Sequence, residues 1–371
     1  MKLQTEAKFN YIFAGGGTGG HLFPLVAVAE QIKFEMPDSE ILFVGTKNKI
    51  ESRVIPNLGY KFLPLSISGM PRKLSPELFS FFFKLIFSVV KSLQICLKFK
   101  PHVAIGSGAY VSGPIMWAAK LTGAKIVLLE QNSYPGVTNR LLEKKADKIY
   151  ISFEDSKKYF RCKDKLFLYG NPLRINITKN NKADAKRLFG LNNENATLVI
   201  LGGSLGARNI NTAVEKNLDK FKENKINVIW QCGNNYYDSL AKYNCDTVKV
   251  YPFINNMGEA YSAADLVIAR AGATTIAEAA FLGLPVIFIP SPNVTDDHQY
   301  KNAKSLADKG GAIVIRDNEA ADNMLPAVLE IINDKDKLEN LGKNIKNFAG
   351  IDTAKKISVE IIDLAKNKNR L

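Results

Sequence analysis

Short apolar runs alternate with longer amphipathic stretches along the whole chain. This alternation is typical of a parallel α/β sheet, in which a helix follows each strand. In the first half we expect strands at residues 9–14, 41–45, 103–105, 126–129 and 148–151. In the second half we expect them at residues 197–201, 227–231, 248–251, 266–269, 286–289 and 312–315. The predicted fold class is therefore α/β.

The two halves begin alike. Residues 9–21 read FNYIFAGGGTGGH and residues 197–208 read TLVILGGSLGAR, each a strand, a glycine turn and the start of a helix. The duplication predicts two doubly wound domains that face one another. A turn-forming tripeptide at Gly170 marks the boundary. We expect domains at 1–172 and 173–349, with a final helix within 350–371 that packs back on the first domain.

Composition limits the function classes. The 371 residues suit two domains, and a net charge of +14 fits a nucleic acid, an anionic membrane, a phosphorylated substrate or simply a solvated lysine surface. No nucleic-acid motif accompanies the charge, so nucleic acid is not an expected partner. The four cysteines lack metal-ligand spacing, and the N-terminus lacks a signal-peptide pattern, which predicts a cytoplasmic protein without a metal.

The first glycine turn fits the G-x-G-x-x-G pattern through Gly15, Gly17 and Gly20. A glycine turn at a helix N-terminus favours an anion, because the backbone N–H groups point at the ligand. An NAD site also needs an acidic residue at the end of the second strand, and that strand ends in Gly45 and Thr46. The pattern therefore argues against a dinucleotide-dependent oxidoreductase.

A second candidate phosphate site lies in the second half. Residues 270–275, RAGATT, follow a strand and lead into a helix that contains Glu278. A diphosphate could lie at this helix N-terminus while Glu278 accepts both hydroxyls of a ribose. The alternative is that Glu278 is only a first-turn carboxylate favoured by the helix dipole. No Asp-x-Asp motif lies in the glycine turns, so these turns do not call for a divalent ion.

Residues 75–100 form an apolar segment with a regular lysine pattern. Lys84, Lys91 and Lys98 are seven residues apart, so they form one line on a helix. The apolar run is too short to span a bilayer. The segment is either a buried core helix with a lysine stripe or an interfacial helix on an anionic membrane. For the interfacial helix, the membrane-associating residues would be Phe79, Phe82, Phe83, Phe87, Lys84 and Lys91.

Seven ordered blocks carry a resemblance to a known family. They are GGGTGGHLFP (15–24), GSGAYVSGP (106–114), EQNSYPGVTNR (130–140), GNPLR (170–174), GGSLGAR (202–208), ARAGATTIAE (269–278) and DDHQYKNA (296–303). With them the chain resembles the MurG family of peptidoglycan N-acetylglucosaminyltransferases. The resemblance implies the GT-B architecture, two Rossmann-like domains with an interdomain cleft, and inverting transfer of N-acetylglucosamine from UDP-N-acetylglucosamine to undecaprenyl-pyrophosphoryl-muramoyl-pentapeptide. It further implies a peripheral enzyme on the cytoplasmic face of the bacterial inner membrane, in a cell-wall synthesis complex, with no cofactor.

The resemblance also implies which residues bind the donor. They are Thr18, Gly19, Gly20, Asn132, Arg174, Ser204, Ile254, Ala273, Thr274, Thr275, Ile276, Ala277, Glu278 and Gln299. The main chain at Ile254 would read the uracil, Glu278 would bind the ribose, and Gln299 would lie near the sugar. Leu205 and His102 depart from the residues usual in the family.

The transfer itself needs a base for the acceptor hydroxyl and stabilisation of the leaving UDP. His21 is the candidate base, because an imidazole with a pKa of about 6.5 accepts a proton near neutrality. The alternative is that His21 only orients the first loop, and that a carboxylate or a substrate-bound water is the base. Helix N-termini, the glycine turns and Arg174 could stabilise the diphosphate. Two other functions stay open, a GT-B glycosyltransferase with a different acceptor and a UDP-sugar epimerase.

Overall fold

The computed structural model describes residues 8–67, 76–174, 177–203 and 205–368, and within these ranges every side chain except those of residues 76–82, 295 and 368. The chain divides into two compact units. Unit 1 comprises residues 1–174 and 350–371, and unit 2 comprises residues 175–349. The division returns the C-terminal helix to the unit that begins the chain.

Unit 1 is built on a seven-stranded parallel sheet with the strand order β3-β2-β1-β4-β5-β6-β7. The strands are β1 (Asn10–Ala14), β2 (Glu40–Thr46), β3 (Lys61–Leu65), β4 (Val103–Gly106), β5 (Lys125–Glu130), β6 (Lys148–Ile151) and β7 (Leu166–Leu168). Sequence patterning missed β3 and β7. Both are edge strands, and β3 alternates exposed and covered positions and contains Pro64, so neither forms an apolar run.

Helices cover both faces of this sheet. They are α1 (Gly19–Glu35), α2 (Glu51–Asn57), α3 (Pro76–Phe99), α4 (Ser112–Leu121) and α5 (Val137–Leu142), with 3-10 helices at Glu154–Tyr159 and Lys163–Lys165 and a C-terminal helix at Thr353–Lys368. Side chains alternate along β1, so Tyr11 and Phe13 pack in the core that α1 and the C-terminal helix cover. Ile12 and Ala14 pack in the core on the other face, under α3 and α4.

The C-terminal helix is tied to unit 1 by a polar contact as well as by packing. Glu360 accepts hydrogen bonds from Lys148 Nζ at 2.5 Å and from Tyr150 Oη at 2.6 Å. Tyr169 also donates to this carboxylate. The last helix therefore contacts β6 and the end of β7 through one carboxylate.

Unit 2 is built on a six-stranded parallel sheet with the order β10-β9-β8-β11-β12-β13. Its strands are β8 (Ala196–Leu201), β9 (Ile226–Gln231), β10 (Val248–Tyr251), β11 (Leu266–Ala269), β12 (Val286–Phe288) and β13 (Ile313–Val314). All six lie where the sequence predicts them.

The helices of unit 2 complete the chain order. They are α6 (Lys182–Leu188), α7 (Arg208–Glu223), α8 (Tyr237–Leu240), α9 (Met257–Ala263), α10 (Ala273–Leu282), α11 (His298–Ala307), α12 (Ala320–Ile332) and α13 (Lys335–Ile345), which makes the C-terminal helix α14. Short 3-10 helices lie at Ala241–Tyr243, Thr295–Asp297, Asp317–Glu319 and Lys346–Phe348.

Both sheets reverse their strand order beside their first strand. In unit 1, β1 lies between β2 and β4, and in unit 2, β8 lies between β9 and β11. The carboxyl ends of the strands at such a reversal are where open parallel sheets bind ligands. The predicted pair of parallel-sheet α/β domains is confirmed, and the glycine turns after β1 and β8 lie at these two reversals.

Candidate active site

The first glycine turn is held by a buried carboxylate. Glu51, at the start of α2, is 1% exposed, and its Oε2 accepts a hydrogen bond from the Gly17 main-chain N at 2.8 Å. Its Oε1 accepts from the Thr46 main-chain N, also at 2.8 Å. A Cβ on Gly16 would lie 2.2 Å from Glu51 Cδ. The turn can close on the Glu51 side chain only because residue 16 is glycine.

Glu51 changes what the first turn can bind. The Gly17 amide, which would donate to a phosphate, already donates to Glu51, and a second anion there would meet the carboxylate at close range. This supports the inference against a dinucleotide. The end of β2 carries no acid, as the sequence predicts, and Glu51 comes five residues after Thr46, from the next helix.

His21 lies in the first turn of α1 and is half-buried. Its Nδ1 is 2.6 Å from the carbonyl oxygen of Ser107, the residue that follows β4. A carbonyl oxygen only accepts, so Nδ1 carries the proton in the neutral ring and Nε2 keeps its lone pair. That is the tautomer a general base needs. Thr18, exposed, is the N-cap residue of α1, and Gly19 and Gly20 are its first two residues.

The loop after β5 is organised by Glu130. This carboxylate is 2% exposed and accepts hydrogen bonds from the main-chain N of Asn132 at 3.0 Å, the main-chain N of Gly136 at 3.0 Å and Asn139 Nδ2 at 2.9 Å. Burial raises the pKa of Glu130 to about 7, against the lowering effect of these donors. Asn132, a predicted donor contact, is thereby fixed at the carboxyl edge of the unit 1 sheet.

Arg174 is the last of the donor contacts predicted in unit 1, and it forms an ion pair with Glu30 of the same unit. Its Nη2 lies 3.2 Å from Glu30 Oε1 on α1. Its Nε is buried and has no hydrogen-bond partner among the described residues. The guanidinium therefore keeps a donor that a ligand could use.

In unit 2 the predicted diphosphate turn lies between β11 and α10. Gly272 is the N-cap residue of α10, and the Thr274 hydroxyl is buried without a hydrogen-bond partner among the described residues. Thr275 is half-buried on the same turn. Of the apolar residues in the predicted set, Ala273 begins the helix and can offer its backbone N–H. The Ile276 N–H already donates to the Gly272 carbonyl at 3.0 Å, and Ala277 lies beyond it in the helix. A helix N-terminus with an unpaired hydroxyl is suited to a phosphate.

Glu278 lies one turn into α10 and contacts a residue that sequence analysis missed. Tyr261, fully buried on α9, donates its hydroxyl to Glu278 Oε2 at 2.7 Å. Burial raises the pKa of Glu278 to about 7, although the Tyr261 hydrogen bond lowers it. The tyrosine fixes one carboxylate oxygen, which leaves the second to accept from a ligand. The first turn of α10 contains no acidic residue, so Glu278 is not the first-turn carboxylate that the helix-dipole alternative requires.

Two further predicted contacts are positioned by side chains of unit 2. The Ile254 main-chain N donates to Gln231 Oε1 at 2.9 Å, so the carbonyl of Ile254 is the group left to meet a base edge. Gln299 accepts from the Ser291 main-chain N at 2.9 Å, which directs its amide nitrogen elsewhere. Asp296 and Asp297, just before α11, have φ of 56° and 51°, a costly left-handed pair of the kind found at functional sites.

Arg270 links the ends of two strands beside the same turn. Its Nη1 donates to the carbonyls of Ile289 at 2.9 Å and Pro290 at 3.2 Å, and it pairs with Asp317. Arg270 belongs to the motif block at residues 269–278 but is not among the predicted site residues. In the structure it holds the turn before α10 against the end of β12.

The second glycine turn, after β8, is closed by backbone contact. Gly206 has φ of 85°, and a Cβ there would lie 2.3 Å from the Cys232 carbonyl. A Cβ on Gly233 would lie 2.0 Å from the Gly206 nitrogen, so the two glycines require one another. Ser204, a predicted donor contact, is outside the described residues.

The helix α3 exposes one apolar face. Phe83 is 64% exposed and Phe87 72% exposed, with Ile86 and Val90 also exposed, while Ser92 and Cys96 are buried on the opposite face. Lys84 and Lys91 are exposed beside the apolar face, and Lys91 Nζ donates to the Pro64 carbonyl at 2.8 Å. The alternative of a buried core helix does not fit this face. The side chains of Phe79 and Phe82 lie outside the described residues.

None of the helices formed by the described residues is long and apolar enough to cross a membrane. Among the same residues, no group of histidine, cysteine and acidic side chains could hold a metal ion.

Two family models match the chain. The Glycosyltransferase family 28 N-terminal domain matches residues 11–151, and the Glycosyltransferase family 28 C-terminal domain matches residues 197–357. The UDP-N-acetylglucosamine--N-acetylmuramyl-(pentapeptide) pyrophosphoryl-undecaprenol N-acetylglucosamine transferase of Flavobacterium psychrophilum is 42% identical over 367 residues, which cover 97% of this chain and 99% of the relative. A protein of the same name from Cytophaga hutchinsonii is 42% identical over 361 residues, covering 97% and 98%.

Solved structures agree on the fold. The crystal structure of MurG from Acinetobacter baumannii superposes with a TM-score of 0.76 at 26% identity, covering 96% of this chain and all of that one. The UDP-GlcNAc 2-epimerase from Neisseria meningitidis, bound to UDP-GlcNAc, has a TM-score of 0.66 at 16% identity, covering 96% and 99%. The second likeness is one of fold alone.

Proposed function

Because the chain belongs to glycosyltransferase family 28, we propose that it transfers N-acetylglucosamine from UDP-N-acetylglucosamine to a lipid-linked muramoyl-pentapeptide. The observation that carries this proposal is the 42% identity over 97% of the chain to transferases named for that reaction. The chain is a glycosyltransferase, and the donor and acceptor are the specific content of the proposal.

Unit 2 would bind the donor. The diphosphate would lie at the N-terminus of α10, where Thr274 offers an unpaired hydroxyl. Glu278 would accept from the ribose hydroxyls with the oxygen that Tyr261 leaves available. The Ile254 carbonyl would accept from the uracil, and the Gln299 amide nitrogen would donate to the sugar. The other donor contacts proposed here are Thr18, Gly19, Gly20, Asn132, Arg174 and Ser204.

The chemical step needs one proton acceptor. The acceptor hydroxyl attacks the anomeric carbon as the bond to the UDP oxygen breaks, which inverts that carbon. The hydroxyl proton would pass to His21 Nε2, whose lone pair is set by the Nδ1 contact with Ser107. Charge that develops on the leaving diphosphate would be stabilised by the N-terminal amides of α10.

A lipid-linked acceptor requires the enzyme to work at a membrane surface. The apolar face of α3, with Phe83 and Phe87 exposed, would enter the lipid, and Lys84 and Lys91 would meet anionic headgroups. We place the enzyme peripherally on the cytoplasmic face of the bacterial inner membrane, in a cell-wall synthesis complex. An isolated charged surface patch would explain the lysines but not the apolar residues beside them.

The proposal is tested by following labelled N-acetylglucosamine from its UDP donor. Purified protein is incubated with the donor and a lipid-linked muramoyl-pentapeptide, and the lipid product and UDP are measured. Label in the lipid fraction, together with UDP in equal amount, supports the proposal. Conversion of the UDP-sugar in the acceptor-free control would instead indicate an epimerase, and transfer only to an acceptor without a lipid-linked muramoyl-peptide would indicate another glycosyltransferase.

A further inference from the structure

Unit 1 has a shallow cavity of about 440 Å³ that the donor and the base do not use. It is lined by side chains of α5 and of the segment after β6, including Arg140, Lys144 and Arg161. A volume of this size is within the range of small-ligand sites. The cavity lies beside the loop that Glu130 organises, since Val137 directly follows Gly136 of that loop.

Arg140 is a partly buried cation that lies over an aromatic ring. Its guanidinium carbon lies 5.1 Å from the centre of the Tyr134 ring, and its Nε is buried with no hydrogen-bond partner in the part of the chain that the structure describes. Among the described residues no carboxylate pairs with it. A half-buried guanidinium that no described carboxylate neutralises would favour an anion from outside the chain.

The rest of the lining has the same sign. Lys144 and Arg161 are exposed at the cavity, where Glu143 is the one carboxylate. Glu143 is 5% exposed, and its Oε2 accepts from the Arg161 main-chain N at 2.8 Å, so it is occupied by the backbone. Three cations therefore face one carboxylate. The lining residue Tyr159 meets Tyr134 edge to face at 4.7 Å.

The cavity is connected to the candidate base by short steps. Val137, on its rim, follows Gly136, where a Cβ would lie 3.5 Å from the Gly108 carbonyl. Gly108 follows Ser107, whose carbonyl holds His21 Nδ1. The base and the rim of the cavity are thus joined through neighbouring loops of unit 1.

We propose that this cavity binds the C-terminal carboxylate of the acceptor's peptide. The inference rests on the proposed function and adds a subsite to it. Muramoyl is an acyl group, so the peptide is joined through its amino end and its C-terminal carboxylate is free. Five extended residues reach roughly 17 Å, enough to extend past the neighbouring loop from a sugar placed at His21. Arginine forks match carboxylates in geometry as well as in charge.

The test compares two acceptors that differ only at the peptide end, one with a free carboxylate and one with a C-terminal amide. KM for each is measured with the wild-type chain and with Arg140→Gln, Arg140→Lys and Arg161→Gln. The matched control is Lys100→Gln, which removes an equal charge beside the amino end of β4, at the opposite edge of the sheet. Donor KM and the melting temperature are measured for every variant.

We expect the wild-type chain to favour the carboxylate acceptor, and Arg140→Gln to raise KM for that acceptor roughly tenfold, the usual effect of losing a hydrogen bond to a charged group. KM for the amide acceptor and for the donor should not change. Arg140→Lys should recover part of the difference, and Lys100→Gln should have no effect.

Equal KM values for the two acceptors in every variant, with transfer intact, would overturn the subsite and leave the proposed function standing. Absence of transfer by the wild-type chain to either acceptor would overturn both. If Arg140→Gln lowers the melting temperature, its rise in KM could come from lost packing. Arg161 is exposed, so Arg161→Gln should keep the fold and still raise KM for the carboxylate acceptor, by a smaller factor than Arg140→Gln; no rise in that variant would overturn the subsite.

Discussion

The hydroxyl of Tyr261 lies 2.7 Å from Oε2 of Glu278, and it joins α9 to the helix whose N-terminus is the candidate phosphate site. The tyrosine is fully buried, so its position is set by the core and not by solvent. A carboxylate with one oxygen fixed in this way loses less rotational freedom when it binds a diol. Tyr261 is in this respect a positioning residue for the donor.

Tyr261→Phe should therefore weaken donor binding without removing the chemical step. Losing a hydrogen bond to a charged group costs about 1.5–3 kcal/mol, which corresponds to a rise in donor KM of roughly tenfold or more. Because the Tyr261 hydrogen bond lowers the pKa of Glu278, the substitution should also move the pH midpoint of donor binding upward. An unchanged donor KM and an unchanged midpoint would exclude the positioning role.

Donor affinity should rise with pH through about 7. The pKa of Glu278 is raised to about 7, chiefly by burial, and only the ionised carboxylate accepts from both ribose hydroxyls. Calorimetric titration with UDP-N-acetylglucosamine between pH 5.5 and 8.5 measures this. In Glu278→Gln, whose side chain does not titrate, affinity should be low and flat, and a wild-type slope in that variant would contradict the assignment.

The same shift predicts a change in stability. The folded pKa of Glu278 lies above its ordinary value of 4.5, so this group's contribution is fully present below pH 4.5 and is lost as the pH rises through about 7. Between pH 5 and pH 8 the free energy of unfolding should therefore fall less in Glu278→Gln than in the wild-type chain. The difference should be on the order of 1–3 kcal/mol, since the group is only partly shielded from solvent. Melting temperatures across that range test the sign.

His21→Ala should lower kcat by roughly 10²–10⁴-fold and leave donor KM nearly unchanged, because general-base catalysis contributes about that much. Single-turnover transfer with saturating donor separates the two quantities. Circular dichroism and the melting temperature establish that the fold is intact. Near-normal turnover in a folded His21→Ala enzyme would leave His21 only the role of orienting the first loop.

Gly16→Ala should destabilise unit 1 much more than an equivalent change elsewhere. Gly16 has φ of 144°, and its Cβ would lie 2.2 Å from Glu51 Cδ, which is anchored by hydrogen bonds on both oxygens. We expect a cost of about 2–4 kcal/mol. The control is Gly59→Ala, with φ of 80° and nothing within 4 Å of its Cβ, which should cost about 1 kcal/mol. Equal losses in melting temperature would contradict the role of Glu51.

Membrane binding should depend on α3. Phe83→Ser with Phe87→Ser should lower the vesicle partition coefficient by roughly a hundredfold or more, measured by sedimentation with anionic vesicles, since each buried ring contributes roughly 1.5–3 kcal/mol. Phe34→Ser is the matched control, because Phe34 is 73% exposed but lies on α1. Binding of the wild-type chain should fall as salt rises, because screening weakens the lysine contribution. Loss of binding in the control but not in the α3 variant would assign the surface elsewhere.

The order of elements in this chain follows from its sequence. Buried parallel strands are continuous apolar runs, so the sequence pattern locates β1, β8 and β11, together with the glycines that follow them. Edge strands such as β3 are half-exposed and carry no such run, and this one was missed. The seven motif blocks, which include His21 and Glu278, were likewise visible because their residues are contiguous.

Only the tertiary structure decided which side chains hold those blocks in place. Glu51 reaches Gly17 across 34 residues, Ser107 reaches His21 across 86, and Tyr261 reaches Glu278 from a different helix. Local periodicity specifies which face of an element is apolar, but it does not specify which distant polar group meets a turn. Those hydrogen bonds follow from the parallel register of the strands, which brings separate loops to one edge of each sheet. They determine the tautomer of His21 and the oxygen that Glu278 can offer.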